Sequence, residues 1–500
     1  MAERLASVPE ESTTVFPAPH PPSSSYRESI RSVDGPEWRI RSSLFPQSSY
    51  SGSSYSSSYS GGSNISGCSF GMVSAGVSGF GDGEITKIAH KMVSDGYLQQ
   101  MVQAFGDQDS DTVLEAWFSE LDVPWVLQSR ESHGSQFQLQ PQELVERWIR
   151  SLTLIVVSIE ELVAAGDASP AVARFGRASI SVMLDFGHTL NLSMPENLQA
   201  MLHMYVCVSA ASYHMVLVEK SCYMMVLPFL SEARSVVRDT GGLLKRGENK
   251  LVQAISDIIS KAKVMAFGMV DDSWDIEIVR GRGEVHRSVR MLVDCIVSMR
   301  EAQASSKESA QSHNIEKLHN LIDDAMDYLK NMIEEKSELC LDPSLRYIFL
   351  LNNYNFLAQV VYEPSISLDL ELLSAVHHQG LELTPECKKQ MDSYLEVSWG
   401  QVLSCISASK ISGPLRRWIS NSSLAKFHSA FHKTYKAQKF WKVPDPRLRS
   451  LLREAITKRV ISAYRDYLKE HPADLEKQVS AVSSDPDVLE EMVGELFEGR

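Results

Sequence analysis

His428 and His432 stand four residues apart in the stretch of this chain where chemically capable side chains crowd most densely. It reads KFHSAFHKTYKAQKFWKVPDPRLRSLLREAITKRVISAYRDYLKEH, residues 426–471. An i, i+4 pair puts two imidazoles on one helix face, where they could grip a metal ion. No Glu or Cys ligand lies close in sequence and the pair flanks an apolar face, so structural histidines are expected and no metal. Asp271–Asp272 and Asp323–Asp324 read as solvated turn and helix-surface charges rather than paired catalytic carboxylates. The GFGDG run at residues 79–83 is too short for a dinucleotide fingerprint and follows a Ser/Gly tract, not a strand. With no phosphate-binding GK[ST] loop and no G-x-S-x-G elbow, neither an enzyme nor a cofactor is expected.

What remains is charge. The chain of 500 residues carries 49 Lys+Arg against 63 Asp+Glu, a net of −14. Residues 410–469 hold 15 basic and three acidic residues, net +12, which leaves −26 for the rest. Such asymmetry marks a surface for an anionic partner. A nucleic-acid reader would show a recognisable module or a basic whole domain; neither occurs, so nucleic acid is not an expected partner. Anionic lipid attracts each nearby Lys or Arg by about 1 kcal/mol.

The elements that must carry these residues are helices. From Glu84 onward the apolar spacing is helical, and alternation of period two is nearly absent. Residues 314–336 place Ile315, Leu318, Ile322, Ala325, Leu329 and Met332 on one stripe. Asp342-Pro343 breaks that helix, and a second, apolar nearly all round, runs from Ser344 to Glu363 before Pro364. Asn352 and Asn353 in that central helix then require buried hydrogen-bond partners. Turns are expected at Gly241-Gly242, Gly281 and Gly413-Pro414.

The basic stretch reads as two helices. The first starts near Ser422 or Ser423, with Leu424, Phe427, Phe431 and Tyr435 inward, Lys426 and Lys433 opposite, and Lys436 flanking them. Val443-Pro444 ends it. Asp445 caps the second, with Pro446 at its first position. There Leu448, Leu452, Ala455, Ile456 and Ala463 point inward, and an uninterrupted helix puts Arg447, Lys458, Arg465 and Lys469 within about 40° of one another on the solvent side.

Residues 1–83 are compositionally separate, with 10 of the 27 glycines and 7 of the 20 prolines, and read as a disordered Ser/Gly/Pro/Tyr-rich tail. Three helical bundles are expected after it, at residues 84–245, 246–400 and 401–500. Seven scattered cysteines without a CxxC pair read as reduced thiols of a cytosolic protein. No secretion-signal layout opens the chain. The most apolar window, residues 201–218, is interrupted by His203, Ser209, Ser212 and His214 and reads as a core helix, not a membrane span.

Several of these segments carry a resemblance. Trp441, Val443, Pro444, Asp445, Leu448 and Arg449, followed by Ala463, Tyr464 and Arg465, resemble the C-terminal signature of the Exo-seventy family, the exocyst's seventy-kilodalton subunit. Phe349, Leu350, Asn352 and Asn353 are similar to its Phe-Leu-x-Asn-Asn helix. SWGQVLSCI at 398–406, SMPENLQAMLHMY at 193–205 and ELFEG at 495–499 also match, in the plant-type branch and from about Val145 to Gly499. The resemblance implies an elongated all-α rod of stacked antiparallel helical bundles. It implies a member of the exocyst, cytoplasmic and peripheral at the plasma membrane, that tethers secretory vesicles in exocytosis. Its implied partners are other exocyst subunits and anionic phospholipids such as phosphatidylinositol 4,5-bisphosphate. Carried over by position, the phosphoinositide-binding candidates are Lys426, Lys433, Lys436, Arg447, Lys458, Arg465 and Lys469.

The chain departs from the family pattern in places. A Ser/Gly/Tyr tail stands where the family has a long coiled-coil-like region that pairs with other subunits, which puts complex assembly in question. VSAVSSD at 479–485 replaces a basic segment, and VVYEP at 360–364 replaces a Lys-bearing one. The competing reading is therefore a divergent helical adaptor or scaffold, for example in plant defence, that does not assemble into the exocyst.

Overall fold

A computed structural model of the chain describes residues 25–33, 80, 83–107, 109–128, 141–189, 195–224, 230–268, 271–307, 313–362, 383–407, 416–471 and 485–499. The described residues are helical, with one isolated antiparallel bridge between Lys442 and Glu498. They fall into two compact units: residues 1–257 with 301–318, and residues 258–300 with 319–500. Most of residues 1–83 lies outside the described set. Residues 25–33 lie within it and form a short helix, α1 (Tyr26–Arg31), for which the composition gave no signal.

In the first unit, α2 (Glu84–Ser94) lies against α6 (Pro141–Ala164), and α3 (Tyr97–Asp107) against α4 (Ser110–Glu120). A single turn, α5 (Trp125–Gln128), follows α4. The core runs through α6, where Trp148, Leu152, Ile155, Val156 and Ile159 are buried on more than one face. That is why α6 also meets α7 (Pro170–Thr189) and α8 (Leu198–Met224). Buried Trp148 donates Nε1–H to the Met183 carbonyl at 2.8 Å, which satisfies the one polar atom of that ring. Helix α8 is long and apolar enough to cross a membrane by length and composition. Most of its apolar window is nonetheless buried, with Leu202, Met204, Tyr205 and Cys207 at the centre of this unit.

The expected turn at Gly241-Gly242 does not occur. Helix α9 (Leu230–Phe267) runs through both residues without a break. A mid-helix glycine costs about 1 kcal/mol against alanine. A Cβ on Gly241 would meet Met215 at an ordinary 3.4 Å and one on Gly242 only Arg246 of the same helix, so packing demands neither glycine. Gly247 differs: a Cβ there would come within 2.6 Å of the Leu184 side chain, a close helix–helix approach.

In the second unit, α10 (Asp271–Arg280) and α11 (Arg287–Lys307) flank the expected turn at Gly281; α12 (His313–Ser337) follows. Helix α13 (Pro343–Tyr362) is buried nearly all round and packs on α14 (Pro385–Ser407), which packs in turn on α15 (Arg416–Gln438). The two asparagines of α13 find the partners their burial demands. Asn352 donates from Nδ2 to the carbonyls of Gly283 at 2.7 Å and Lys442 at 2.9 Å. Asn353 donates to Phe349 O at 2.7 Å and accepts from the His286 amide at 3.3 Å.

Replacing Asn352 by Leu strands two carbonyls that lose a donor, at about 1–3 kcal/mol each. The expected loss is about 2–4 kcal/mol in the urea unfolding of the second unit, followed by tryptophan fluorescence. A loss below about 0.5 kcal/mol would contradict the linking role of this side chain.

Candidate functional site

The basic stretch folds as two helices joined by a fixed turn. Helix α15 begins at Arg416, not at Ser422 or Ser423; Ser423 is already buried within it. Nothing between 416 and 422 breaks a helix, and Pro414, which lies outside the described residues with Gly413, stands just before the start. The second helix is α16 (Pro446–Ile456), capped as expected: Asp445 Oδ1 accepts from the Leu448 amide at 2.5 Å, and Pro446 takes the first position. Asp445 also accepts from Gln359 Nε2 of α13 at 3.0 Å, so one carboxylate both caps the helix and ties it to the core.

Most aromatic residues of the stretch are core, with Tyr435 half-buried and Phe440 exposed. Phe427 stacks on Tyr464 with centroids 4.5 Å apart, and Trp399 of α14 lies 5.5 Å from Phe431. Tyr394 donates Oη–H to Gln438 at 2.5 Å and accepts from Trp399 Nε1 at 3.0 Å. His428 is part of this packing, with Nε2 3.0 Å from Tyr464 Oη. Burial, with His432 beside it, pushes its pKa down to about 4. Among the described residues no group of three His, Cys, Asp or Glu side chains is arranged to hold a metal.

A π-turn, Thr457–Ile461, interrupts the helix that was expected to run on from α16, and α17 (Ser462–Glu470) continues it. A π-turn inserts one residue, which rotates everything downstream by about 100°. The alignment of Arg465 and Lys469 with Arg447 and Lys458 is therefore lost. Arg465 turns to α18 (Pro486–Gly494), where Asp487 and Glu490 each accept from Nη2 at 2.7 Å. Lys469 pairs with Asp466 at 3.0 Å.

Other cations of the stretch are paired as well. Arg449 and Arg453 converge on Glu498, at 2.5 and 2.8 Å, and Arg453 also donates to the Leu496 carbonyl. These bonds, led by that of Arg453, outweigh burial and hold the Glu498 carboxyl below its ordinary pKa. Lys442 pairs with Glu284 at 3.1 Å, and Arg459 pairs with Glu396.

Five candidates differ from these. Lys426, Lys433, Lys436, Arg447 and Lys458 are exposed, and none makes an ion pair among the described residues. On α15 the three lysines fall within about 80° of helical arc. Arg447 of α16 and Lys458 of the π-turn after it lie on one face with Glu454, an exposed acid that halves the net charge there. Two residues outside the expected set sit beside them. Lys439 is exposed with Nζ 4.9 Å from the Phe440 ring centroid, and Phe440 is 46% exposed. The signal was present in the sequence, since residues 397–444 contain no Asp or Glu at all. A net-charge count over the wider stretch averages that away.

The family model for the C-terminal region of Exo70, a subunit of the exocyst complex, matches residues 160–495, more than half of the chain. The chain belongs to the Exo70 family. Exocyst complex component EXO70A1 of Arabidopsis thaliana is 23% identical over 83% of this chain and 66% of that relative. EXO70C1 of the same plant is 30% identical over 35% of this chain and 27% of its own length. The chain thus spans from about a quarter to two thirds of these curated relatives. A solved S. cerevisiae Exo70 structure aligns over 83% of this chain and 80% of its own, at 13% identity and a TM-score of 0.41.

Among the Exo70 signature residues of this chain, Asp445 caps, Arg449 holds the chain end, Tyr464 packs, and Asn352 and Asn353 link backbone carbonyls and amides.

The depressed pKa of His428 has a sign that can be tested. A histidine kept neutral by the fold favours the unfolded state once that state protonates, so its stability is present above pH 6.5 and is lost as pH falls toward 4. His428→Gln is expected to flatten that loss in urea midpoints taken at pH 7, 5.5 and 4.5. An unchanged slope would place the pH dependence elsewhere.

Proposed function

We propose that this Exo70 chain acts within the exocyst in exocytosis, at the cytoplasmic face of the plasma membrane, and tethers vesicles there through anionic phosphoinositide lipid. The reading rests on one observation: a helix without acidic residues carries Lys426, Lys433 and Lys436 on one exposed arc, with Lys439 and Phe440 at its end. Phosphoinositide headgroups carry the multiple negative charge such an arc attracts. Arg447 and Lys458 add to it, less the charge of Glu454. At about 1 kcal/mol per cation, these six cations less Glu454 supply at most about 5 kcal/mol. The −26 elsewhere is screened beyond about 8 Å at physiological salt. Phe440 adds an aromatic ring able to sit at headgroup level beside the lysines.

Arg449, Arg453 and Arg465 are assigned to stability, not to lipid. Reversing Lys426, Lys433 and Lys436 to Glu is expected to lower co-sedimentation with vesicles containing phosphatidylinositol 4,5-bisphosphate by at least tenfold, with the unfolding midpoint unchanged. Arg449→Gln with Arg453→Gln is expected to lower the midpoint instead. Lipid binding that survives the triple reversal would remove this arc from the mechanism. Recovery of the other exocyst subunits with the tagged chain supports assembly; their absence supports the adaptor reading.

A further inference from the structure

Fifty residues separate Val33 from Glu84, yet residues 25–33 are held at both ends and along one face by the first unit. Six helical residues are far below the roughly 12–15 that an isolated helix needs, so α1 exists because of the surface that receives it. Glu120 lies at its N-terminus. It accepts from Ser25 Oγ at 3.0 Å and from the amides of Tyr26 and, at 3.2 Å, Arg27. Arg150 lies at its C-terminus, donating to the carbonyls of Arg31 at 3.0 Å and Val33 at 3.2 Å. An acid therefore meets the positive end of the helix and a base the negative end.

The flank is read as closely. Arg27 Nε donates to Asp122 Oδ1 at 3.0 Å, and Arg31 donates to both oxygens of that carboxylate at 2.8 and 2.6 Å. Arg147 of α6 adds a contact at 3.1 Å. Asp122 has only 5% of its side chain exposed and sits at φ +64°. Burial alone would raise its pKa, but the Arg31 bond and the charges of Arg147, Arg31 and Arg27 bring the net shift downward. Tyr26 and Ile30 are buried; the Tyr26 ring lies 5.4 Å from Tyr97 and its hydroxyl donates to Asp95 at 2.7 Å. A cavity of about 240 Å³ remains beside Arg31, Asp122, Glu143 and Arg147.

We propose that the surface around Asp122 is a receptor for a short basic helix with the pattern aromatic–Arg–x–x–apolar–Arg, and that the chain's own Tyr26–Arg31 occupies it as a releasable ligand. Tyr97 meets the aromatic ring and Asp95 its hydroxyl, Asp122 takes both arginines, Ile30 is buried, and Glu120 and Arg150 take the two helix ends. A partner protein bearing a like segment competes with the chain's own, whose tether gives it a high effective concentration.

The test uses the full chain and a fluorescent peptide of residues 25–33, SYRESIRSV. The peptide is expected to bind the R27E/R31E chain saturably and the unaltered chain at least tenfold more weakly. Adding D122N to that double variant is expected to abolish binding. A peptide phosphorylated on Tyr26, which would press a dianion against Asp95, is expected not to bind. Equal binding to both forms, binding to neither, or equal binding of the phosphopeptide overturns the proposal. A second measurement needs no variant. In the unaltered chain the amides of Ser32 and Val33, bonded to Glu28 O and Ile30 O, should exchange slowly and become fast when millimolar isotope-labelled peptide displaces them. Absent protection, or protection that the peptide leaves unchanged, overturns it too.

Discussion

One buried carboxamide links three distant parts of the second unit. Asn352 donates its two N–H groups to Gly283 O, in the turn before α11, and to Lys442 O, in the turn before α16. Buried carbonyls without donors are costly, so this side chain fixes both turns to the central helix α13. Around it the same turn is held again: the Lys442 amide donates to Arg282 O at 3.0 Å, the Val443 amide to Phe497 O at 3.1 Å, and Asp445 accepts from Gln359. The direction of α16, and with it the cations that α16 presents, follows from these bonds.

That constraint divides the cations of the C-terminal stretch by role. Arg449 and Arg453 close the chain end onto Glu498, Arg465 holds α18, and Lys442 reaches Glu284. The bonds of Arg449 and Arg453 to Glu498 are partly withdrawn from water and worth more than the exposed Arg465–Asp487 pair. The lysines of α15 have no such duty among the described residues and are left for solvent or a ligand. Of the residues that carry the family resemblance, Arg449 and Arg465 are of the first kind and none is a lysine of α15. Family membership, shown by the match over residues 160–495, does not establish the lipid reading.

Much of this fold was legible because its signals are local. The Asp445–Pro446 cap is stated outright by two adjacent residues, and the stripe from Ile315 to Met332 yields the helix His313–Ser337. The demand for partners at Asn352 and Asn353 followed from an apolar helix carrying two amides. Other features depended on tertiary partners. Gly241-Gly242 reads as a turn, yet α9 runs through it, held by buried Val236, Val237, Thr240 and Leu244 on either side. The π-turn at Thr457–Ile461 has no composition signature, yet it moved Arg465 and Lys469 off the expected face. Helix α1 was illegible because six residues of ordinary composition take their order from Glu120, Asp122 and Arg150, about a hundred residues away.

Lysine footprinting tests the division of the cations most directly. The full chain is acetylated briefly, with and without vesicles containing phosphatidylinositol 4,5-bisphosphate, and each lysine is read by mass spectrometry. Protection of Lys426, Lys433, Lys436 and Lys439 by the vesicles is expected, with Lys442 and Lys469 unchanged. Protection of Lys442 and Lys469 while the α15 lysines stay reactive would contradict it.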